Sequence, residues 1–291
     1  MRKGTVRKKP SNILIGIIIG LFSLFCVLPL WVVALGSITQ EDIIVREGYQ
    51  LFTTHISFDA YKLLFTGQRI YRSYLISVTV TLGGTALSLL CTSMMAYSLS
   101  NKALKYRNKI AFYVFFTMLF SGGIVPWYIL VSQYLKLENS IFALMLPYLI
   151  SPWFMFMMRN FFSTIPESIM ESAKIDGAND ISVYFRIAIP LSLPALATIG
   201  LFYTLQYWND WWLALMLIED SKLYPLQMIL RALVSNLMAT ASSMNSKISV
   251  KLPSYAVRMA TTIVTIGPIV FVYPLVQKYF IKGLVVGAVK G

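Results

Sequence analysis

Residues Ile13–Ile38 run without a single charged side chain, and that run constrains this chain more than any other feature. A helix rises about 1.5 Å per residue, so about 20 mostly apolar residues cross a bilayer. In hydrocarbon the backbone must satisfy its own hydrogen bonds, which makes helix the form such a run takes. Comparable stretches recur at Ser73–Leu99, Ile110–Ser132, Ile141–Met158, Leu191–Leu217 and Met259–Phe280. Composition agrees: the 291 residues are 57% hydrophobic and 13% charged, against about 25% charge in a soluble domain. The pattern predicts an all-α integral membrane protein with six transmembrane helices. The basic residues ahead of the first run (Arg2, Lys3, Arg7, Lys8 and Lys9) would suit a signal peptide. The apolar run exceeds the length of a signal-peptide core, so it reads as a retained span.

Net charge is +13, from 25 Lys+Arg against 12 Asp+Glu. The basic residues sit between apolar runs rather than on one face of a soluble fold, which argues against nucleic acid. With the N-terminus in the cytoplasm, the inner segments hold 15 Lys+Arg and the outer ones 10. That bias places both termini inside. One His and two Cys make a His/Cys metal site or a disulfide framework a poor reading. Cys26 and Cys91 lie in apolar stretches and read as small buried hydrophobes. No G-x-x-x-x-G-K-[ST] loop occurs, so ATP hydrolysis is not expected in this chain.

The segments divide as an N-terminal tail (1–12), a first span (13–38), an extracytoplasmic segment (39–70), a five-helix body (71–282) and a C-terminal tail (283–291). The 39–70 stretch mixes acids, Gly and aromatics and predicts short interfacial helices. Pro225–Ser235 carries apolar residues at helical spacing and predicts an amphipathic helix on the outer side. Ala239–Ser249 is small and polar and reads as a loop. Gly83-Gly84, Ser121-Gly-Gly123, Pro126, Pro147 and Pro152 mark close packing, bends or kinks.

The inner connection 159–190 holds most of the information. Thr164-Ile-Pro-Glu167 fits a capping box, predicting a helix over about Pro166–Asp176. Gly177 is placed to end it in a left-handed cap. A second helix would start near Asp180 and stop at Pro190. Ile169, Met170, Ala173 and Ile175 put apolar or small residues on a short element with little of its own to bury, which points to docking on a partner.

Glu171-Ser-Ala173, three residues, Gly177, nine residues and Ile187-Ala-Ile189-Pro190 resemble the E-A-A-x3-G-x9-I-x-L-P loop of ABC-importer permeases. Every spacing matches; Ser172 stands for Ala and Ile189 for Leu. From about Tyr71 to Gly291 the chain resembles the carbohydrate-uptake, maltose-type permeases, most nearly the Gram-positive Ytc/Lpl-type sugar permeases. The tail Lys278–Gly291 is similar to that group's tail. The resemblance implies a type I ABC-importer permease fold that translocates an oligosaccharide by alternating access. Glu171, Ser172, Ala173, Gly177, Ile187 and Pro190 would form the coupling loop for a separate ATPase. The resemblance further implies a heterodimer with a second homologous permease and two ATPase subunits that use ATP and Mg. It also implies a lipid-anchored sugar-binding protein outside, and residence in the plasma membrane of a Gram-positive bacterium. No cofactor or metal is expected on this chain.

For the solute path, Asp210 is the single acidic residue within the expected spans, and an intramembrane ionisable group marks a functional site by default. It lies in Tyr207-Trp-Asn-Asp-Trp-Trp212. Aromatic faces cover the C–H face of a sugar, while amide and carboxylate meet its hydroxyls. Asn209, Asp210, Trp208, Trp211, Tyr203 and Gln206 are the path candidates, against an interfacial aromatic belt or hydrogen bonding between spans. On one continuous helix Trp208, Trp211 and Trp212 share a face and Asn209 points about 100° away. Permeation of a non-sugar solute and ion-coupled transport are the alternatives; a membrane enzyme would need paired carboxylates or a His near a membrane face.

Overall fold

The computed structural model describes residues 10–66, 68–242 and 255–270. The expected tails up to residue 9 and from 283, the polar-loop residues 243–249 and the last-span residues 271–280 lie outside them. So do the basic residues there, including Lys278, Lys282 and Lys290. The described helices are α1 (Pro10–Ser37), α2 (Glu41–Glu47), α3 (Asp59–Phe65), α4 (Arg69–Ser100), α5 (Arg107–Leu119), α6 (Ile124–Ile129) and α7 (Pro152–Phe162). They continue with α8 (Glu167–Ile175), α9 (Asp180–Val183), α10 (Ile189–Leu191), α11 (Leu193–Asn209), α12 (Trp212–Leu217), α13 (Leu226–Ser242) and α14 (Tyr255–Val270).

Two helices, α1 and α4, are each long and apolar enough to span a membrane. Three bent helix pairs pass the same test of length and composition when each is taken as one unit. α5 and the Ile124–Tyr134 segment meet at 116°, Ile141–Tyr148 and α7 at 52°, and Asp180–Leu191 and α11 at 83°. The straight third span expected over Ile110–Ser132 is therefore broken. Gly123, at φ 89°, sits in a backbone region that L side chains avoid, and Pro126 falls in the first turn after the break. The sixth expected span is described only through Val270, within α14.

The chain groups into two compact units, Met1–Gly67 with Leu233–Ile266, and Gln68–Ala232 with Gly267–Gly291. In the first, Ile44, Ala60, Ala256, Val257 and Ala260 form a small apolar core flanked by Tyr61 and Leu64. The Glu41 carboxylate accepts from the backbone N–H groups of Tyr255 and Ala256, both at 2.9 Å. A negative side chain thus caps the first turn of α14, and this is why residues expected within the 71–282 body group with the N-terminal segment. Cys26, expected to be buried, is exposed on α1. On a span the outward surroundings are apolar too, so an apolar residue need not face protein.

The second unit is built on α4, with α11 and α7 packed along it. Ser73, Ser77, Gly84, Ser88, Thr92 and Ala96 are buried at helical spacings, a small-residue stripe that lets neighbouring backbones approach. Tyrosine hydroxyls fill the same seam. Ser88 Oγ and Tyr207 Oη lie 2.8 Å apart, Thr92 Oγ1 and Tyr203 Oη 2.7 Å, and Ser93 Oγ and Tyr184 Oη 2.7 Å. Tyr207 Oη also donates to the Met145 carbonyl, and Tyr203 Oη accepts from Ser151 N–H. Buried phenols need such partners.

Candidate functional site: the elbow and the far end of α11

The elbow follows α7 directly. Its helix α8 is one residue shorter at each end than expected, and the capping box does not form. Pro166 occupies the N-cap and contributes no side-chain bond. Thr164 lies two residues too early, and its hydroxyl instead donates to the Phe161 carbonyl at the end of α7. Glu167, released from that role, pairs with Lys102 at 2.9 Å. At the other end, Gly177 N–H bonds the Lys174 carbonyl and Ala178 N–H the Ala173 carbonyl. That is a Schellman closure, and Gly177 holds the left-handed position at φ 87°.

Asn179 then caps α9 by accepting from Ser182 N–H at 2.8 Å. Pro190 does not stop the second helix, as the sequence led us to expect. Tyr184–Ala188 is π-helical, and Ile189 N–H reaches back to the Tyr184 carbonyl. This wider turn resets the ladder just before a residue with no N–H to give. The chain continues through α10 and bends only at Ser192.

Two contacts fasten the elbow to the membrane body, Tyr184 to Ser93 and Glu167 to Lys102, and at the end of α7 Arg159 Nε donates to the Leu99 carbonyl at 3.1 Å. A groove of about 850 Å³ lies beneath, lined by Tyr97, Lys102, Arg159, Met170 and Glu171 among others. No residue of α8 is buried. Ile169 is 41% and Ile175 86% exposed, with Ile181 and Phe185 also exposed beside them. Glu171 and Ser172 are exposed, Ala173 and Ile187 half-buried and Pro190 exposed. Lys174 and Asp180 pair at 2.7 Å, and this hydrogen bond raises the Lys174 ammonium above its ordinary value.

The opposite end of α11 lies 17 residues away, about 25 Å along the axis. Here the continuous span expected over Leu191–Leu217 is broken. α11 ends at Asn209, Asp210 is extended, and α12 begins at Trp212. Asp210 Oδ2 accepts from Leu213 N–H at 3.1 Å and Oδ1 from Tyr148 Oη at 3.0 Å. A carboxylate at a helix start satisfies free N–H groups there, so Asp210 has a structural use that the sequence did not reveal. The ideal-helix argument about which faces the tryptophans share ends with the helix. Trp208 is buried against the edge of Tyr74, Trp212 lies 4.8 Å from Trp127, and Trp211 remains at the surface.

Tyr203 is fully buried with its hydroxyl doubly engaged, and Trp208 is also enclosed, so neither is at the surface of this chain. Gln206 is half-buried, while Asn209 and Trp211 are exposed beside Asp210. Two residues that sequence reasoning missed join them. Gln227 Nε2 donates to Asn209 Oδ1 at 3.3 Å, and the Arg231 guanidinium lies 3.6 Å from the centroid of the Trp211 ring. Both stand one helical turn apart on α13, whose amphipathic pattern was legible. What went unread was the element it packs against. α13 also runs through Ala239–Ser242, where a loop was expected.

Among the described residues no His/Cys/Asp/Glu group is arranged to hold a metal ion. Comparison with known proteins gives a consistent picture. The family described as "Binding-protein-dependent transport system inner membrane component" matches residues 1–286. The chain is 43% identical to the polygalacturonan/rhamnogalacturonan transport system permease protein YtcP of Bacillus subtilis (strain 168), covering 93% of this chain and 95% of that protein. It is 40% identical to protein LplC of the same organism, covering 91% and 90%. A crystal structure of a bacterial ABC transporter involved in the import of the acidic polysaccharide alginate contains a chain of the same fold. Its TM-score is 0.81 at 29% identity, over 94% of this chain and 98% of that one.

Proposed function

The chain belongs to the inner-membrane components of binding-protein-dependent transport systems, and from that premise we propose that it is the permease subunit of an ATP-driven oligosaccharide importer. The observation that carries the coupling step is α8, a nine-residue helix none of whose side chains is buried in its own chain. A helix that exposes Ile169 and Ile175 while Glu167 at its start pairs with Lys102 of the membrane body is shaped to be pushed. A separate ATPase subunit docks on Glu171, Ser172, Ala173 and Gly177, and Ile187–Pro190 carry the displacement into α11 through the bend at Ser192.

ATP and Mg act in that partner, and no cofactor is assigned to this chain. A second, homologous permease completes the path. An extracytoplasmic binding protein, lipid-anchored in a Gram-positive cell, delivers the sugar to the far end of α11. Both termini face the cytoplasm, in keeping with the Lys/Arg bias. The polysaccharides named for YtcP and for the alginate importer support a sugar as the solute.

The test is purification of the tagged chain from mild detergent with its neighbouring genes co-expressed. An ATPase and a second permease should co-purify with the wild type, and Glu171→Lys and Gly177→Pro should lose the ATPase but keep the permease. Recovery of the chain alone, or variants that behave like wild type, would reduce the elbow to a connector.

A further inference from the structure

Arg231 is a cation that the importer scheme leaves unused. Its guanidinium carbon lies over the Trp211 ring, 3.6 Å from the centroid, and no carboxylate among the described residues lies within ion-pair distance of it. The nearest candidate by position, Asp210, has one oxygen on Tyr148 and the other on the backbone of Leu213. The ring holds the cation in place without using its N–H groups, and a guanidinium fork matches a carboxylate bidentately. Beside it Asn209 and Gln227 are linked amide to amide, retaining donors and acceptors for hydroxyls. Trp211 and Asn209 are exposed, and the whole group sits at the end of α11 remote from the elbow.

Resting on the importer reading above, we propose that Arg231, held on Trp211, is a specificity residue for a carboxylated sugar unit. The solute class it selects is a uronate-containing oligosaccharide. A neutral sugar would be served by the amides and the aromatic surface alone. A guanidinium with no carboxylate of its own gains a charge-assisted pair only when the solute brings one.

The experiment uses the permease assembly in nanodiscs without the binding protein, so that the binding protein's own selectivity does not enter. Calorimetric titration compares trigalacturonate with its carboxyl-reduced counterpart, which differs only in –COO⁻ against –CH₂OH. Wild type should bind the acid more tightly by about ten- to a hundredfold. Arg231→Gln should lose most of that preference, and Arg231→Lys should recover part of it. Co-purification of the second permease with each variant reports that it has folded. Equal binding of acid and reduced sugar by wild type, absence of binding by either, or an unchanged preference in Arg231→Gln overturns the proposal. ATP-dependent uptake of any oligosaccharide by the complete importer is scored separately, so the importer reading can survive that failure or fall on its own.

Discussion

Gly84 faces Tyr207 so closely that an added Cβ would stand 2.7 Å from the ring's Cζ atom. The ring cannot retreat easily, because its hydroxyl is held by Ser88 and by the Met145 carbonyl. Gly84→Ala should therefore cost about 1–3 kcal/mol through overpacking, read as a lowered thermal midpoint in detergent. Tyr207→Phe removes the hydrogen bonds without the clash, so its smaller loss separates the two effects. At this scale the sequence was only partly legible. Gly83-Gly84 announced close packing, but nothing local says which partner fills the space. Asp210 shows the opposite failure: reading it as a buried charge assumed an unbroken helix. Once α11 ends at Asn209, the same carboxylate becomes a helix cap. Lys174 carries a prediction in pH. Its ammonium is raised by Asp180, so the pair's contribution is intact below the ordinary lysine range. It is lost only as pH rises through the higher folded value. Both partners are largely exposed, so Lys174→Met should change the thermal midpoint negligibly across neutral pH.

At the scale of elements, apolar run length located the long apolar helices α1 and α4, because crossing hydrocarbon fixes both length and composition. It did not reveal the bends of the other apolar runs. A bend depends on where glycine, proline and π-turns let the ladder break, and on what packs at the corner. The break after α5 shows this, since Gly123 supplies the positive φ while the 116° angle belongs to the packing. The elbow was legible in outline because helix, glycine cap and second helix are local signals. Its attachments to Ser93 and Lys102 were not, since those partners lie about 65 to 90 residues away in sequence. The capping of α14 by Glu41 is another long-range element contact. Glu41→Ala should destabilise that unit by about 0.5–2 kcal/mol, seen as faster amide exchange at Tyr255 and Ala256 while exchange in α4 is unchanged.

Across the whole molecule, the stiff seam of α4, α7 and α11 joins an exposed elbow to a polar, aromatic cluster about 25 Å away along α11. In the proposed importer this seam is the lever between the surface that docks the ATPase and the one that meets the solute, as alternating access needs. The far-end cluster was half legible, since the Trp-Asn-Asp-Trp run drew attention to the place. Arg231 and Gln227, which complete it, come from a helix whose packing partner no local pattern names. The central claim is that the elbow docks a separate ATPase, and Ile175, 86% exposed, is the residue from which to test it. A photocrosslinking amino acid placed at Ile175 should link this chain to the ATPase subunit in the assembled complex, and adding ATP should change the yield. Crosslinks to lipid or to no protein at all, in a complex that still contains the ATPase, would contradict the account.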